Sequence, residues 1–193
     1  MKVIIVGGVA GGATAAARLR RLDETAEIVV FERSGYVSYA NCGLPYYIGG
    51  VITDKEELTL QTPESFWQRF RVDMRVRHEV TAIHPAEKTV DVRNLATGET
   101  FTESYDKLVL SPGARPTQPA LPGVGIDRLF TLRTVEDTLK LREFIEQHHP
   151  RSAVLAGGGF IGVGEPTAVH HGGRFFQLAD ILGVDKELGY TLS

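Results

Sequence analysis

The stretch "KVIIVGGVAGGATAAARLRRL", residues 2 to 22, opens with a short β-branched run suited to a buried parallel strand. It then turns through glycines and continues as an alanine-rich helix pattern. A second β-branched run follows, "AEIVVFER" at 26 to 33, ending in Glu32 about 20 residues after Gly12. Strand, glycine turn, helix and strand with a terminal carboxylate form the spacing of a βαβ unit that takes a dinucleotide. The glycines let the turn approach a pyrophosphate, the helix start offers free N–H groups and a positive dipole end, and the carboxylate accepts from a ribose. Gly7 and Gly12 stand at the first and third motif positions, while Val9 occupies the second. A strand-helix connection without a ligand is the other reading of the turn.

Composition sets the outer bounds. The 193 residues are 42% hydrophobic and 23% charged with a net charge of −3, which allows a sizeable core in a soluble chain. Both charge signs are mixed along the sequence, so nucleic acid is not an expected partner. The apolar runs are too short and glycine-broken to span a bilayer, and no secretory leader pattern opens the chain, so a cytoplasmic location is expected. His148, His149, His170 and His171 come as adjacent pairs rather than at metal-ligand spacing, and no metal site is expected.

Further along, "TPESFWQRF" (62–70) reads as a helix with Thr62 as N-cap and Pro63 at its first position. Phe66, Trp67 and Phe70 at helical spacing read as packing. The stretches at 72–85 and 88–116 alternate apolar and polar residues around a turn at Ala96, Thr97 and Gly98, giving a β-rich section near 75–108. Prolines and glycines at 117–130 mark a junction, followed by a helix at 134–150 with Thr134 as N-cap. "RSAVLAGGGFIG" (151–162) then repeats the strand-and-glycine pattern, with Gly157, Gly159 and Gly162 in full G-x-G-x-x-G spacing. Two such turns about 150 residues apart suggest a flavin on the first and a nicotinamide on the second.

One cysteine exists, Cys42 in "SYANCGLPYYIGG" (38–50). Pro45 suits the first turn of a helix, so Cys42 falls near a helix start that would favour a reactive thiolate. A small buried hydrophobe is the alternative. With no second cysteine, any redox partner is external: a mixed disulfide with a thiol substrate or a sulfenic acid.

These motifs, with "TPESF", "ESYDKLVLSPGARP" and "GGGFIGV", resemble in order and spacing the flavin-dependent pyridine nucleotide-disulfide oxidoreductases. Within that family the likeness is to the single-cysteine branch of coenzyme A disulfide reductases and related NADH oxidases and peroxidases, where Val9 is typical. The resemblance implies a Rossmann-like α/β fold binding FAD and NAD(P)H, with a β-rich insertion. Domains are expected at 1–115 (FAD, first segment), 116–150 (linker and helix) and 151–193 (start of the NAD(P)H domain with an atypical tail).

It also implies electrons passing from NAD(P)H through flavin to Cys42, which reduces coenzyme A disulfide or a related small disulfide or persulfide. The alternatives are a sulfenic-acid NADH oxidase or peroxidase, and a non-catalytic truncated fragment. By the same resemblance, FAD would lie on Gly7, Gly8, Ala10, Gly11, Gly12, Glu32, Arg33, Val80, Ser111, Gly113 and Arg115, and the nicotinamide cofactor on Gly157, Gly159 and Gly162. Ser38 and Asn41, beside the cysteine, would contact the thiol substrate or the flavin side. Arg21 falls where a cation meets the coenzyme A phosphates, although a solvated helix face also accounts for it. After Val163 the pattern departs, with Gly164 before Glu165 and then Pro166. The chain is therefore expected to be the front part of a longer, homodimeric enzyme, and whether it is active by itself stays open between these alternatives.

Overall fold

The computed structural model describes residues 1–116 and 127–150. The chain divides into two compact units, Met1–Ala40 with Thr59–Thr117, and Asn41–Leu58 with Gln118–Ser193. Residues 41–58, which the sequence reading places in the first domain, thus group with the helix of 134–150. The second glycine motif, with Gly157, Gly159 and Gly162, and the departure at Gly164 lie outside the described residues.

In the first unit, β1 (Lys2–Val6), α1 (Ala10–Leu22) and β2 (Glu27–Glu32) form the βαβ entry. They are followed by α3 (Pro63–Phe70), β3 (Asp73–Val76), β4 (His78–His84), β5 (Thr89–Asn94), β6 (Thr100–Ser104) and β7 (Lys107–Leu110). A parallel sheet runs β3-β2-β1-β7, with Lys2 opposite Glu27 and Val6 opposite Phe31. A three-stranded sheet β4-β5-β6 is antiparallel, with a bulge between Val80 and Ala82.

The unbroken apolar runs of β1 and β2 follow from burial on both faces. Val3, Ile5, Ile28 and Val30 pack with Ala13 and Ala16 of α1 and with Phe66, Val72 and Met74. Ile4, Val29 and Phe31 point the other way, onto Val90 and Val92 of the antiparallel sheet. Period-two alternation therefore sorts each strand between two cores. The β-rich section covers one face of the parallel sheet.

Local chemistry sets the boundaries. Thr62 Oγ1 accepts from the Ser65 N–H at 3.2 Å and Ser65 Oγ accepts from the Thr62 N–H at 2.9 Å, a reciprocal cap on α3. Phe66 is buried and its ring centroid lies 5.4 Å from that of Phe70. Trp67 instead stays 50% exposed, with the Arg71 guanidinium 5.6 Å from its ring, so the expectation of packing holds for two aromatics and not the third. Between β5 and β6, Asn94 Oδ1 accepts from the Ala96 N–H and Gly98 takes a left-handed φ of +79°.

Arg20 does structural work that its sequence context hides. Its guanidinium donates to the carbonyls of Asp23, Glu24 and Ala26 after α1, and to those of Phe70 and Arg71 at the end of α3, at 2.7 to 3.1 Å. Replacing it with methionine strips charged donors from several carbonyls at once, so Arg20→Met is expected to cost about 2–3 kcal/mol. Urea unfolding followed by Trp67, the only tryptophan, would show a lower midpoint with unchanged slope. An unshifted midpoint would mean water replaces the guanidinium without loss.

The second unit joins a 3-10 turn at Asn41–Gly43, helix α2 (Leu44–Ile48), a 3-10 turn at Lys55–Leu58 and helix α4 (Val135–His148). Thr134 caps α4 as expected, its Oγ1 accepting from the Asp137 N–H at 3.2 Å while Asp137 Oδ2 accepts from the Thr134 N–H. Buried Ile48 packs with Leu132, Leu141 and Ile145. Among the described residues no helix is long and apolar enough to cross a membrane.

Candidate functional site

The carboxyl ends of β1, β2 and β7 meet at one edge of the parallel sheet, where open α/β sheets bind ligands. Gly7 leaves β1 with φ +98°, its N–H donating to Phe31 O at 2.8 Å, while the Ser111 N–H donates to Val6 O at 2.8 Å. Gly7 is therefore bracketed by the ends of both neighbouring strands. A Cβ on Gly7 would strike the Ser111 carbonyl, and one on Gly12 would strike the Gly7 carbonyl. A Cβ on Gly8 would come within 3.0 Å of Glu32 Cβ and 3.1 Å of Val37 Cγ1. The missing side chains are what let α1 start hard against the strand end.

Among the described residues no side chain caps the amino end of α1, and no acid lies in its first turn, whereas α3 and α4 each carry a reciprocal cap and an acidic first turn. Ala10 and Gly11 are exposed there. Free N–H groups and the positive dipole end of a 13-residue helix suit a phosphate group. The donor chemistry thus fits the pyrophosphate of a dinucleotide.

Glu32, 9% exposed, closes the other side of the turn. Its Oε2 accepts from the Gly8 N–H and its Oε1 from the Ser34 N–H, both at 2.7 Å. The carboxylate therefore holds the glycine turn as well as ending β2. Each oxygen keeps a further lone pair, so acceptor capacity for a hydroxyl remains. Arg33 is exposed, with Nη1 3.8 Å from Glu79 Oε1. Val80 is half-buried on β4, opposite Val92 and packed on the Phe31 cluster. Ser111 Oγ faces the position a Gly11 side chain would occupy; Gly113, with φ +72°, and Arg115 follow in exposed chain.

Among the residues expected to meet substrate, Ser38 belongs to the first unit. It adopts φ +48°, donates its N–H to Gly8 O at 3.0 Å and accepts from the Leu60 N–H at 3.2 Å. Arg21 is exposed on the last turn of α1, where its Nε donates to Ala17 O at 3.1 Å. Asn41 and Cys42 lie in the second unit, in the 3-10 turn that leads into α2, with Pro45 in the first turn of that helix. Cys42 is exposed, so packing is not what holds a thiol at this position.

Comparison with known proteins fits these features. The sequence profile of the pyridine nucleotide-disulphide oxidoreductases matches residues 1–174. The chain belongs to that family. It is 44% identical over 160 residues to a coenzyme A disulfide reductase of Staphylococcus haemolyticus, covering 83% of this chain and 36% of the relative. The crystal structure of reduced CoADR-RHD from Bacillus anthracis superposes with a TM-score of 0.86 at 48% identity, over 95% of this chain and 31% of that one. A NAD-dependent persulfide reductase from A. fulgidus gives 0.81 at 34% identity, over 92% and 32%. The chain spans about a third of the length of these relatives.

Membership in the pyridine nucleotide-disulphide oxidoreductases agrees with the α/β Rossmann-like fold read from residues 2–33. Two contacts had no signal in the sequence. The bond from the Gly8 N–H to Glu32 joins residues 24 apart, and the Arg133 guanidinium donates to Asn41 Oδ1 at 3.1 Å across 92 positions. Arg133 sits one residue before an N-cap, where nothing local marks it as a partner of the cysteine segment.

Proposed function

We propose that this chain supplies the flavin-binding and redox-cysteine parts of an NAD(P)H-dependent reductase of coenzyme A disulfide, or of a closely related small disulfide or persulfide. The observation carrying this reading is the exposed Cys42, the sole cysteine, in a chain 44% identical to a coenzyme A disulfide reductase. Bound FAD would supply two-electron carriage between a nicotinamide and a disulfide.

The chain's own groups have the following roles in this reading. The N–H groups of Ala10, Gly11 and Gly12 take the pyrophosphate, Glu32 accepts from the adenosine ribose, and Arg33 and the Val80 backbone flank the adenosine. Ser111, Gly113 and Arg115 line the return toward the flavin ring. Gly157, Gly159 and Gly162 take the nicotinamide cofactor. The Cys42 thiolate attacks one sulfur of the substrate: its Sγ–S bond forms as the substrate S–S bond breaks, and one coenzyme A thiolate leaves with the bonding pair. Arg21 meets the phosphates of coenzyme A, Ser38 contributes a hydroxyl, and Asn41 contributes polar contact to the pantetheine arm.

Visible absorption tests the cofactor half directly. The 193-residue chain, incubated with FAD and freed of excess, is expected to retain a flavin spectrum. A folded but colourless protein would remove flavin binding from this stretch of the enzyme.

A further inference from the structure

The second unit holds the Cys42 segment at both ends, from α4 and from the residue just before its cap. At the far end, Arg142 Nη1 donates to Ile48 O at 3.0 Å and Tyr47 O at 3.4 Å, capping α2, while Ile48 is buried against Leu132, Leu141 and Ile145. At the near end stands Arg133. Its backbone N–H donates to Asp137 Oδ2 at 3.0 Å, the same oxygen that takes the Thr134 N–H, so the cap of α4 also fixes where Arg133 leaves the helix. From there Nη1 reaches Asn41 Oδ1 at 3.1 Å.

That contact decides which way the Asn41 amide points. A guanidinium carries donors only, so only the amide oxygen can face it, and the two N–H groups of Nδ2 must take the other side. Among the described residues Nδ2 has no partner of its own. We infer that Arg133 is a positioning residue. It locks the Asn41 amide so that a donor, next in the chain to Cys42, is presented to the amide carbonyl of a pantetheine-type disulfide. This rests on the substrate class proposed above and adds a specificity element to it: disulfides carrying an amide near the sulfur are favoured over those that lack one.

The test follows the rate of mixed-disulfide formation at Cys42 by mass spectrometry on the 193-residue chain, without flavin or nicotinamide. Two uncharged disulfides are compared: oxidised pantetheine, which carries the amide, and hydroxyethyl disulfide, which does not. Their ratio cancels changes in thiol reactivity. The wild type is expected to prefer the pantetheine disulfide. Arg133→Met should reduce that preference about tenfold, the upper range for one hydrogen bond, while leaving the hydroxyethyl rate within about twofold. Arg133→Lys, still a donor only, should regain most of it.

Asn41→Asp keeps an oxygen on Arg133 but offers no N–H. It should lose the preference as Arg133→Met does, and it serves as the deciding variant if Arg133→Met fails to fold. The double variant Arg133→Met with Asn41→Ala should lose no more than Asn41→Ala alone. Equal loss on both disulfides, retained preference in Arg133→Met or Asn41→Asp, or additive losses would overturn the role of Arg133. A wild type with no preference would instead reject the pantetheine substrate class, and this assignment with it.

Discussion

Gly12→Ala is expected to strip the chain of flavin and to lower its stability by roughly 1–3 kcal/mol, although alanine is the better helix former. Helix propensity alone favours the substitution by about 1 kcal/mol. Sterics decide the sign. A Cβ at Gly12 runs into the Gly7 carbonyl and approaches Ile5 Cγ2 to 3.2 Å. That carbonyl cannot withdraw, because Gly7 is tied through its N–H to Phe31 O and its preceding carbonyl, Val6 O, accepts from the Ser111 N–H. Relief comes only if α1 lifts away from β1, which carries the N–H groups of Ala10, Gly11 and Gly12 with it.

Each 1.4 kcal/mol lost from phosphate binding is about tenfold in affinity, and at least that much loss is expected for FAD. Unfolding without flavin reads the clash, and flavin retention reads its consequence. Gly11→Ala is the control: it is exposed and its Cβ would meet Ser111 Oγ, a side chain free to rotate, so stability should move by only about 0.5 kcal/mol. A Gly12→Ala chain as stable and as yellow as the wild type would show that the close start of α1 is dispensable.

What was legible in the sequence and what was not divides by distance along the chain. The parallel pairing of β1 and β2 was readable because both strands are β-branched runs flanking a glycine turn, and burial on two faces leaves no other pattern. Thr62 and Thr134 were readable as caps because a cap is local chemistry within three residues. Trp67 misled, since helical spacing with Phe66 and Phe70 does not say that a helix of eight residues buries only one narrow stripe.

Arg20 and Arg21 are adjacent and look equivalent in the sequence, yet Arg20 is consumed by five carbonyls while Arg21 bonds only its own helix among the described residues. Three of those five carbonyls belong to the chain just after α1; the other two come from 50 and 51 residues away. Asn41 with Arg133 is the same case at 92 residues. One sequence without covarying relatives carries no record of such pairs.

Cys42→Ser is expected to abolish covalent capture of coenzyme A while leaving fold and flavin binding unchanged. The separation follows from exposure. Cys42 belongs to neither apolar cluster of the first unit nor the Ile48 cluster of the second, so exchanging sulfur for oxygen empties no cavity and should change stability by only about 0.5 kcal/mol. Chemistry changes much more. A thiolate displaces sulfur from a disulfide, whereas a serine hydroxyl without an adjacent base does not.

Because no other cysteine exists, one coenzyme A per chain in the wild type, released by dithiothreitol and absent from the variant, assigns the bond to Cys42 without mapping. Two results would break the reading in different places. If the variant loses flavin as well, Cys42 has a structural part in holding the cofactor. If the wild-type thiol reacts with a small neutral alkylating agent but not with coenzyme A disulfide, the nucleophile is present and the substrate is wrong, and a sulfenic acid formed by peroxide becomes the chemistry to measure.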